Sequence, residues 1–356
     1  MNPGFWRGKR VLVTGHTGFK GAWLSLWLHE AGAVVAGYSL PPSSVENLFE
    51  LAELGDSVDS TYADIRDLSE LQLQFNRFQP EIVFHLAAQA LVRQSYEAPI
   101  ETYEVNVMGT ANVLEAVRGC DSCRVALVIT SDKCYENREW DWGYRECDPM
   151  GGHDPYSSSK GCAELVTSAY RRSFFGPLSS RSVAVASARA GNVIGGGDFA
   201  KDRLVPDLMS AMRKHSVLTI RYPDAVRPWQ HVLEPLSGYL LLAEKLWSSP
   251  QRYSDSWNFG PAARDCRPVR WIIEKLNEYA EERVSWTVDP AFKPHEAGLL
   301  TLDSTKARTM LGWQSRWPVE TALRSAIDWY QAFGRNDRAR DAVIRDIERY
   351  ETTPPA

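Results

Sequence analysis

No apolar run in the 356-residue sequence approaches the roughly 18–20 residues that a helix needs to cross a bilayer. The first ten residues, MNPGFWRGKR, lack the apolar core of a signal peptide and lead straight into a strand. A cytoplasmic protein without membrane association is therefore expected. Excess positive charge is also missing. The net charge is −5, which gives no general attraction to nucleic acid, so any basic site for an anionic ligand must be local. Cysteine is sparse, with six in a long chain, and a disulfide framework is not expected. Cys120-x-x-Cys123 has no second CxxC and no paired histidine, and it follows a helix end at Gly119. No metal is expected there. No internal repeat is present.

What remains is ordinary for a globular protein, with 44% apolar and 24% charged residues. The length suits one large α/β domain plus a smaller lobe. Tryptophan is abundant at thirteen; most are expected in the core, with a few lining a ligand site.

Arg10–Thr14 reads as an apolar strand running into Gly15-His16-Thr17-Gly18-Phe19-Lys20-Gly21 and then a helix with Trp23, Leu24, Trp27, Leu28 and Ala31, closed by Gly32. GxxGxxG between a strand and a helix lets backbone approach a pyrophosphate at the positive helix N-terminus. Gly15, Thr17, Gly18, Phe19, Lys20 and Gly21 are thus candidate dinucleotide contacts. Lys20 stands where a large apolar residue is usual, and either contacts phosphate or is solvated. The second strand, Ala33–Tyr38, lacks the terminal acid that grips an adenosine ribose. Ser39 stands there instead, with no arginine to claim a 2′-phosphate, so NAD is expected over NADP, with loose adenosine binding.

A third strand near Val58–Ala63 leads to Asp64 and Ile65. Asp64 either bonds an adenine amino group or caps the next helix, Leu68–Phe78. Glu81–Gln89 is a buried strand ending in Leu86, Ala87 and Ala88, small enough for close cofactor approach. His85 reads as a satisfied core histidine. Asn106, in a helix over Tyr103–Val117, is placed to tie neighbouring strand ends.

A strand over Arg124–Thr130 delivers Ser131, Asp132 and Lys133, and Pro155 opens a helix carrying Tyr156 and Lys160 over Tyr156–Phe175. One helical turn separates that tyrosine and lysine, so both face one way. An ammonium beside a phenol stabilises phenolate, lowering the tyrosine pKa toward a working range. Such a set can take a proton from a carbinol. A sixth strand spans Ser182–Ala190, after which strand–helix alternation weakens. Gly191–Asp198 reads as a flexible connection, Arg335–Tyr350 as a charged helix with a solvated face, and Thr352–Ala356 as a disordered end. The fold class is α/β, a Rossmann-type doubly wound parallel sheet with a smaller C-terminal substrate-binding lobe. Residues 1–191, completed by roughly 225–260, form the nucleotide domain, and 192–350 mostly the substrate lobe.

The glycine loop, His85-Leu86-Ala87-Ala88, Ser131, Tyr156 with Lys160, Asn192, Arg227-Pro228-Trp229-Gln230-His231-Val232 and Asn258-Phe259-Gly260 together resemble the short-chain dehydrogenase/reductase superfamily, in its extended nucleotide-sugar branch. Within it, GHTGFKG, Asp132-Lys133 and RPWQHV are similar to the CDP-glucose 4,6-dehydratases. The resemblance implies NAD as cofactor and CDP-glucose as substrate. It implies oxidation at sugar carbon 4, loss of water across carbons 5 and 6, and return of hydride to carbon 6. Asp132 would be the acid and Lys133 the base, where other 4,6-dehydratases carry glutamate; alternatively the pair is a strand-end salt bridge. A lysine base must be neutral, held so by desolvation or nearby charge, in part from Lys160. The resemblance points to Gln89, Asn192, Arg203, Arg221, Arg227 and Trp229, with His231 nearby, for the nucleotide, and to His295-Glu296 as a closing loop. It also implies a homodimer or homotetramer and a role in deoxysugar and surface-polysaccharide synthesis. A sugar-nucleotide 4-epimerase would use Tyr156 and Lys160 without Asp132 and Lys133. A non-catalytic NAD(H) sensor would need none of them.

Overall fold

A computed structural model describes residues 1–176, 183–289, 297–335 and 338–355. Its centre is a seven-stranded sheet. In chain order the strands are β1 (Arg10–Thr14), β2 (Val34–Ser39), β3 (Asp59–Tyr62), β4 (Ile82–His85), β5 (Val125–Ile129), β6 (Ala184–Ala190) and a last strand, Ser256–Phe259. The spatial order is Ser256–Phe259, β6, β5, β4, β1, β2, β3, and every pairing is parallel. The order reverses between β1 and β4, which opens a crevice at the carboxyl ends of those strands, where open α/β sheets bind ligands.

Both faces of the sheet are covered, which is why β5 and the centre of β1 read as unbroken apolar runs rather than alternating ones. Val11 and Val13 pack into one core cluster and Leu12 into the other. The second cluster takes in helices Leu68–Phe78 and Gly109–Gly119. Asp67 caps the first of these through the backbone N–H groups of Ser69 and Glu70, so the cap is Asp67 and not Asp64. Cys120 and Cys123 are buried in this same apolar cluster.

Helix Phe19–Glu30 buries every residue from Gly21 to Leu28. An all-round apolar helix needs cover on two sides, and here the sheet gives one and the C-terminal helix Ala339–Thr352 the other. Trp27 meets the Tyr350 ring edge-on and donates to Glu351. This corrects two expectations. The charged terminal helix is not merely solvated, for it buries Ala339, Ala342, Val343, Ile347 and Tyr350. Nor is the segment after it loose: the Thr353 carbonyl accepts from Arg316 and its hydroxyl from Trp317. Gly191–Asp198 is likewise not a flexible connection. Val193–Ile194 pairs with Gln230–His231, and a Cβ at Gly196 would lie 2.0 Å from the Trp329 ring. Ser182, Asp337 and Ala356 lie outside the described residues.

The helix expected over Tyr103–Val117 is longer and irregular. Pro99–Tyr103 and Gly109–Gly119 are α-helical, and Glu104–Met108 between them is a π-turn. Among the described residues no helix is long and apolar enough to cross a membrane.

Candidate active site

A cavity of about 760 Å³ opens at the crevice beside β1 and β4 and extends toward Arg221 and Trp229. Its first wall is the glycine loop. Gly15 has φ +76°, and a Cβ there would stand 2.7 Å from the backbone nitrogen of Ala87; one on Gly21 would fall 2.0 Å from the Gly15 carbonyl oxygen. Side chains at either position would close the turn that carries backbone into the N-terminus of helix Phe19–Glu30, where unpaired N–H groups and the helix dipole favour an anion. Gly18, Phe19, Lys20 and Gly21 face the cavity. Thr17 is 2.8 Å from the Ser39 hydroxyl and donates to the Leu40 carbonyl, fastening the end of β2 to the loop. Asp64 and Ile65 line the same end, with the Asp64 carboxylate held by Arg66 at 2.6 Å. Leu86, Ala87 and Ala88 line the cavity at the end of β4. Asn106 lies behind them, bonded to both the N–H and the carbonyl of Gln89 and to the Ser159 hydroxyl. His85 is satisfied by Thr14 and Thr110. These residues fit a dinucleotide laid from Ser39 and Asp64 across the glycine turn to Tyr156.

The five candidate reacting groups converge where β5 ends. Ser131 begins a tight turn over Asp132–Cys134 and accepts from the Lys133 N–H. Asp154 caps the facing helix, Pro155–Phe174, through the N–H and hydroxyl of Ser157, with Pro155 pre-set for its first turn. Ser131, Asp132, Lys133, Tyr156 and Lys160 all line the cavity. The Ser131 hydroxyl donates to Asp132 Oδ1 at 2.9 Å, while the other oxygen, Oδ2, is buried with no partner. Burial raises the Asp132 pKa, against the Ser131 bond and the charges of Lys133, Arg227 and Lys20. A carboxyl that leans toward its protonated form, with one oxygen free, is built to give up a proton.

The expected lowering of the Tyr156 pKa by Lys160 is not what the structure gives. Burial pushes the phenol up to about 12, with Ser131 and Arg203 opposing and Asp132 and Asp154 reinforcing the rise. Burial also takes Lys160 down to about 8, against Glu164 and Cys134. Lys20 is not simply solvated. Burial, with the charges of Arg203 and Lys160, brings it to about 8, and Asp132 opposes that shift. It therefore belongs to the end of the cleft that holds Asp132 and Lys160.

On the far wall Asn192, Arg203, Arg221, Arg227 and Trp229 line the cavity. Arg203 is paired with Asp198 at 2.9 Å. Arg227 is buried against the Ala297, Gly298 and Val226 carbonyls. Trp229 donates to the Arg267 carbonyl, and His231 is buried between Trp23 and Trp317. Gln89 does not join them. Its amide is spent on Leu91 and Thr102, bracing its own loop. His295 and Glu296 lie outside the described residues. Sequence reasoning passed over Asp198, the partner of Arg203, and the buried pair Glu164–Arg189. The signal for the latter was a lone arginine in an otherwise small, apolar strand. Among the described residues no group of three or more His, Cys, Asp or Glu side chains is placed to hold a metal ion.

An open parallel sheet with a glycine turn after its first strand, and a Ser–Tyr–Lys set at the end of its fifth, defines an enzyme of the short-chain dehydrogenase/reductase class. The chain belongs to the GDP-mannose 4,6 dehydratase family, whose sequence profile it matches over residues 12–326. It is 51% identical over 352 residues to CDP-glucose 4,6-dehydratase of Salmonella typhimurium, a match covering 98% of each chain. Among solved structures, it superposes on UDP-glucose 4-epimerase of Thermus thermophilus in complex with NAD with a TM-score of 0.77 at 25% identity, over 90% of this chain and 99% of that one. It also superposes on dTDP-glucose 4,6-dehydratase of Bacillus anthracis with a TM-score of 0.75 at 18% identity, over 91% and 97%, a likeness of fold.

Proposed function

We propose that this protein is an NAD-dependent hydro-lyase that converts CDP-glucose to CDP-4-keto-6-deoxyglucose. The substrate reading rests on the 51% identity to a CDP-glucose 4,6-dehydratase along nearly the whole of both chains. The observation that carries the chemistry is Asp132, buried beside Ser131 with Oδ2 unpartnered. An epimerase has no use for such an acid, whereas elimination of a hydroxyl does.

Bound across the glycine turn and the Ala87–Ala88 floor, NAD supplies an acceptor for hydride from sugar carbon 4 and a donor of it to carbon 6. Tyr156, as phenolate, takes the proton of the carbon-4 hydroxyl, which Ser131 orients by a hydrogen bond; Ser131 and Arg203 are the groups that oppose the burial holding the phenol protonated. The resulting ketone acidifies the hydrogen on carbon 5. Lys133 removes that proton, and Asp132 protonates the departing hydroxyl on carbon 6, which leaves as water; as hydride comes back to carbon 6, Lys133 returns a proton to carbon 5. Arg203, Arg221 and Arg227 offer guanidinium forks to the diphosphate, with Asn192 and Trp229 beside it. Residues 1–191 with roughly 225–260 serve the cofactor, and 192–350 mostly the sugar nucleotide; the last strand, Ser256–Phe259, completes the sheet against β6.

In this reading the protein acts in the cytoplasm, and its product feeds deoxysugar and surface-polysaccharide synthesis. A homodimer or homotetramer is supported by Ile100, Met108 and Leu165, which are 71%, 56% and 60% exposed on the helical segments Pro99–Gly119 and Pro155–Phe174. The test is mass spectrometry of CDP-glucose incubated with the protein and NAD, with dTDP-, UDP- and GDP-sugars in parallel. Loss of one water from CDP-glucose alone, with no net NADH, is expected. Loss from another sugar nucleotide would overturn the substrate. An unchanged mass with a 4-epimer visible by NMR would make it an epimerase, and binding without turnover a sensor.

A further inference from the structure

Directly behind the reacting groups lies a charged network that the proposed reaction does not use. Glu164 sits one helical turn after Lys160 and is buried. One of its oxygens accepts from Thr130 at 2.5 Å; the other accepts from Ser187 at 2.7 Å and from the Arg189 guanidinium at 2.7 Å. Arg189 also donates to the Tyr135 hydroxyl, which donates on to Asn258 Oδ1 at 2.7 Å. The Asn258 amide then donates to the carbonyls of Tyr144 and Asp303. One carboxylate therefore joins the residue preceding Ser131, the helix of Tyr156 and Lys160, and β6.

A buried ion pair is weak evidence of added stability, since apolar residues of similar volume often do as well. Its placement matters more. Thr130 is the residue before Ser131, and Glu164 lies one turn beyond Lys160, so their hydrogen bond ties the strand end to the helix. The groups around Lys160 are Tyr156 and Glu164 on its own helix, Cys134 after β5, His85 on β4 and Lys20 on the glycine-loop helix. His85 is held neutral by burial, its pKa brought to about 3, and Lys20 is a cation that opposes a second one. Burial itself disfavours the Lys160 ammonium. Around Glu164 stand Arg189, Thr130 and Ser187, with Arg171 and Cys134 near. Burial would raise its pKa, but Arg189 and the three hydrogen bonds more than offset this and hold it ionised.

We propose that Glu164, braced by Arg189, is a positioning residue of this enzyme: it registers the Ser131 strand end against the Tyr156–Lys160 helix and keeps the Lys160 ammonium charged. The proposal rests on the roles given above to Ser131 and Lys160. Competitive acetylation with acetic anhydride, read by peptide mass spectrometry across pH, reports the titration of Lys160 without any substrate, so it holds whichever sugar nucleotide is turned over. In Glu164→Gln the Lys160 midpoint is expected to fall by about one unit. The alkaline limb of kcat should fall with it, while KM for the sugar nucleotide changes less than about threefold. Thr130→Val, which keeps the charge, should lower kcat by roughly tenfold and leave the Lys160 midpoint in place. A folded Glu164→Gln protein with the wild-type midpoint overturns the charge role. Wild-type kcat in Thr130→Val overturns the registering role. If the stranded arginine prevents Glu164→Gln from folding, Glu164→Gln/Arg189→Met removes both charges, with Arg189→Met as its reference; a Lys160 midpoint no lower in the double variant than in Arg189→Met overturns the charge role.

Discussion

Asp132→Asn keeps the shape of the acid and removes its proton. Water loss from the sugar nucleotide should slow by about 10²–10⁴-fold, the range of general acid–base contributions, with binding little changed; titration calorimetry and mass spectrometry would check the two halves. Lys133→Met makes a separate prediction. A base at carbon 5 exchanges its proton with solvent, so the wild-type product formed in D₂O should carry deuterium at carbon 5 and the variant should form no such product. Turnover by Lys133→Met with deuterium in place would give the base role to another group, and Lys20, which lines the same cavity, is the alternative. The residues that sequence made legible here are those whose spacing is local: Tyr156 with Lys160 one turn apart, and Ser131-Asp132-Lys133 in a row. Glu164 was not legible, because its meaning comes from Thr130, Ser187 and Arg189, which only the folded sheet brings to it.

At the scale of elements, the C-terminal helix hangs on one buried acid. Glu234 accepts from the backbone N–H groups of Arg316 and Trp317 and from the Tyr350 hydroxyl. Burial nevertheless pushes its pKa up to about 7, from an ordinary value of 4.5, against those bonds and the Arg316 charge. The folded chain thus holds this proton more tightly than the unfolded one. That contribution to stability is whole below about pH 4.5 and is lost as pH climbs to about 7, amounting to roughly 2–3 kcal/mol. Glu234→Gln should flatten this limb: its melting temperature relative to wild type should rise between pH 5 and pH 8. Parallel curves would show that Glu234 does not titrate there. The same helix shows why the charged terminus was misread. Its apolar residues, Val343, Ile347 and Tyr350, are spaced for one buried stripe, but the charges between them dominate the composition.

At the scale of the whole molecule, the exposed apolar residues predict assembly. Met108→Glu with Leu165→Glu should shift the protein toward monomer in sedimentation velocity, with its circular dichroism unchanged; an unaltered sedimentation coefficient would move the interface elsewhere. The parallel sheet was legible strand by strand, since strand-like runs alternate with helices; the edge strand β3, a polar DSTY with its ends exposed, was legible only from its place in that alternation. The small pairings beyond it were not. Val193–Ile194 with Gln230–His231, and Leu218–Ile220 with Trp286–Val288, are two or three residues long and join distant parts of the chain. Such segments are too short to show a period. They are specified by what they pack against, as Gly196 is by Trp329.

The π-turn at Glu104–Met108 amounts to one residue more than an ordinary helix would hold over the same rise. Asn106 sits inside it and, from there, reaches both Gln89 and Ser159. That extra residue lies in the turn that aims the Asn106 amide at both of them. Read as engineering, it marks a place where deletion and substitution differ in kind. Removing one residue between Glu104 and Met108 would restore ordinary pitch and turn everything upstream by about 100°, unhooking the cavity floor while leaving the helix itself better formed.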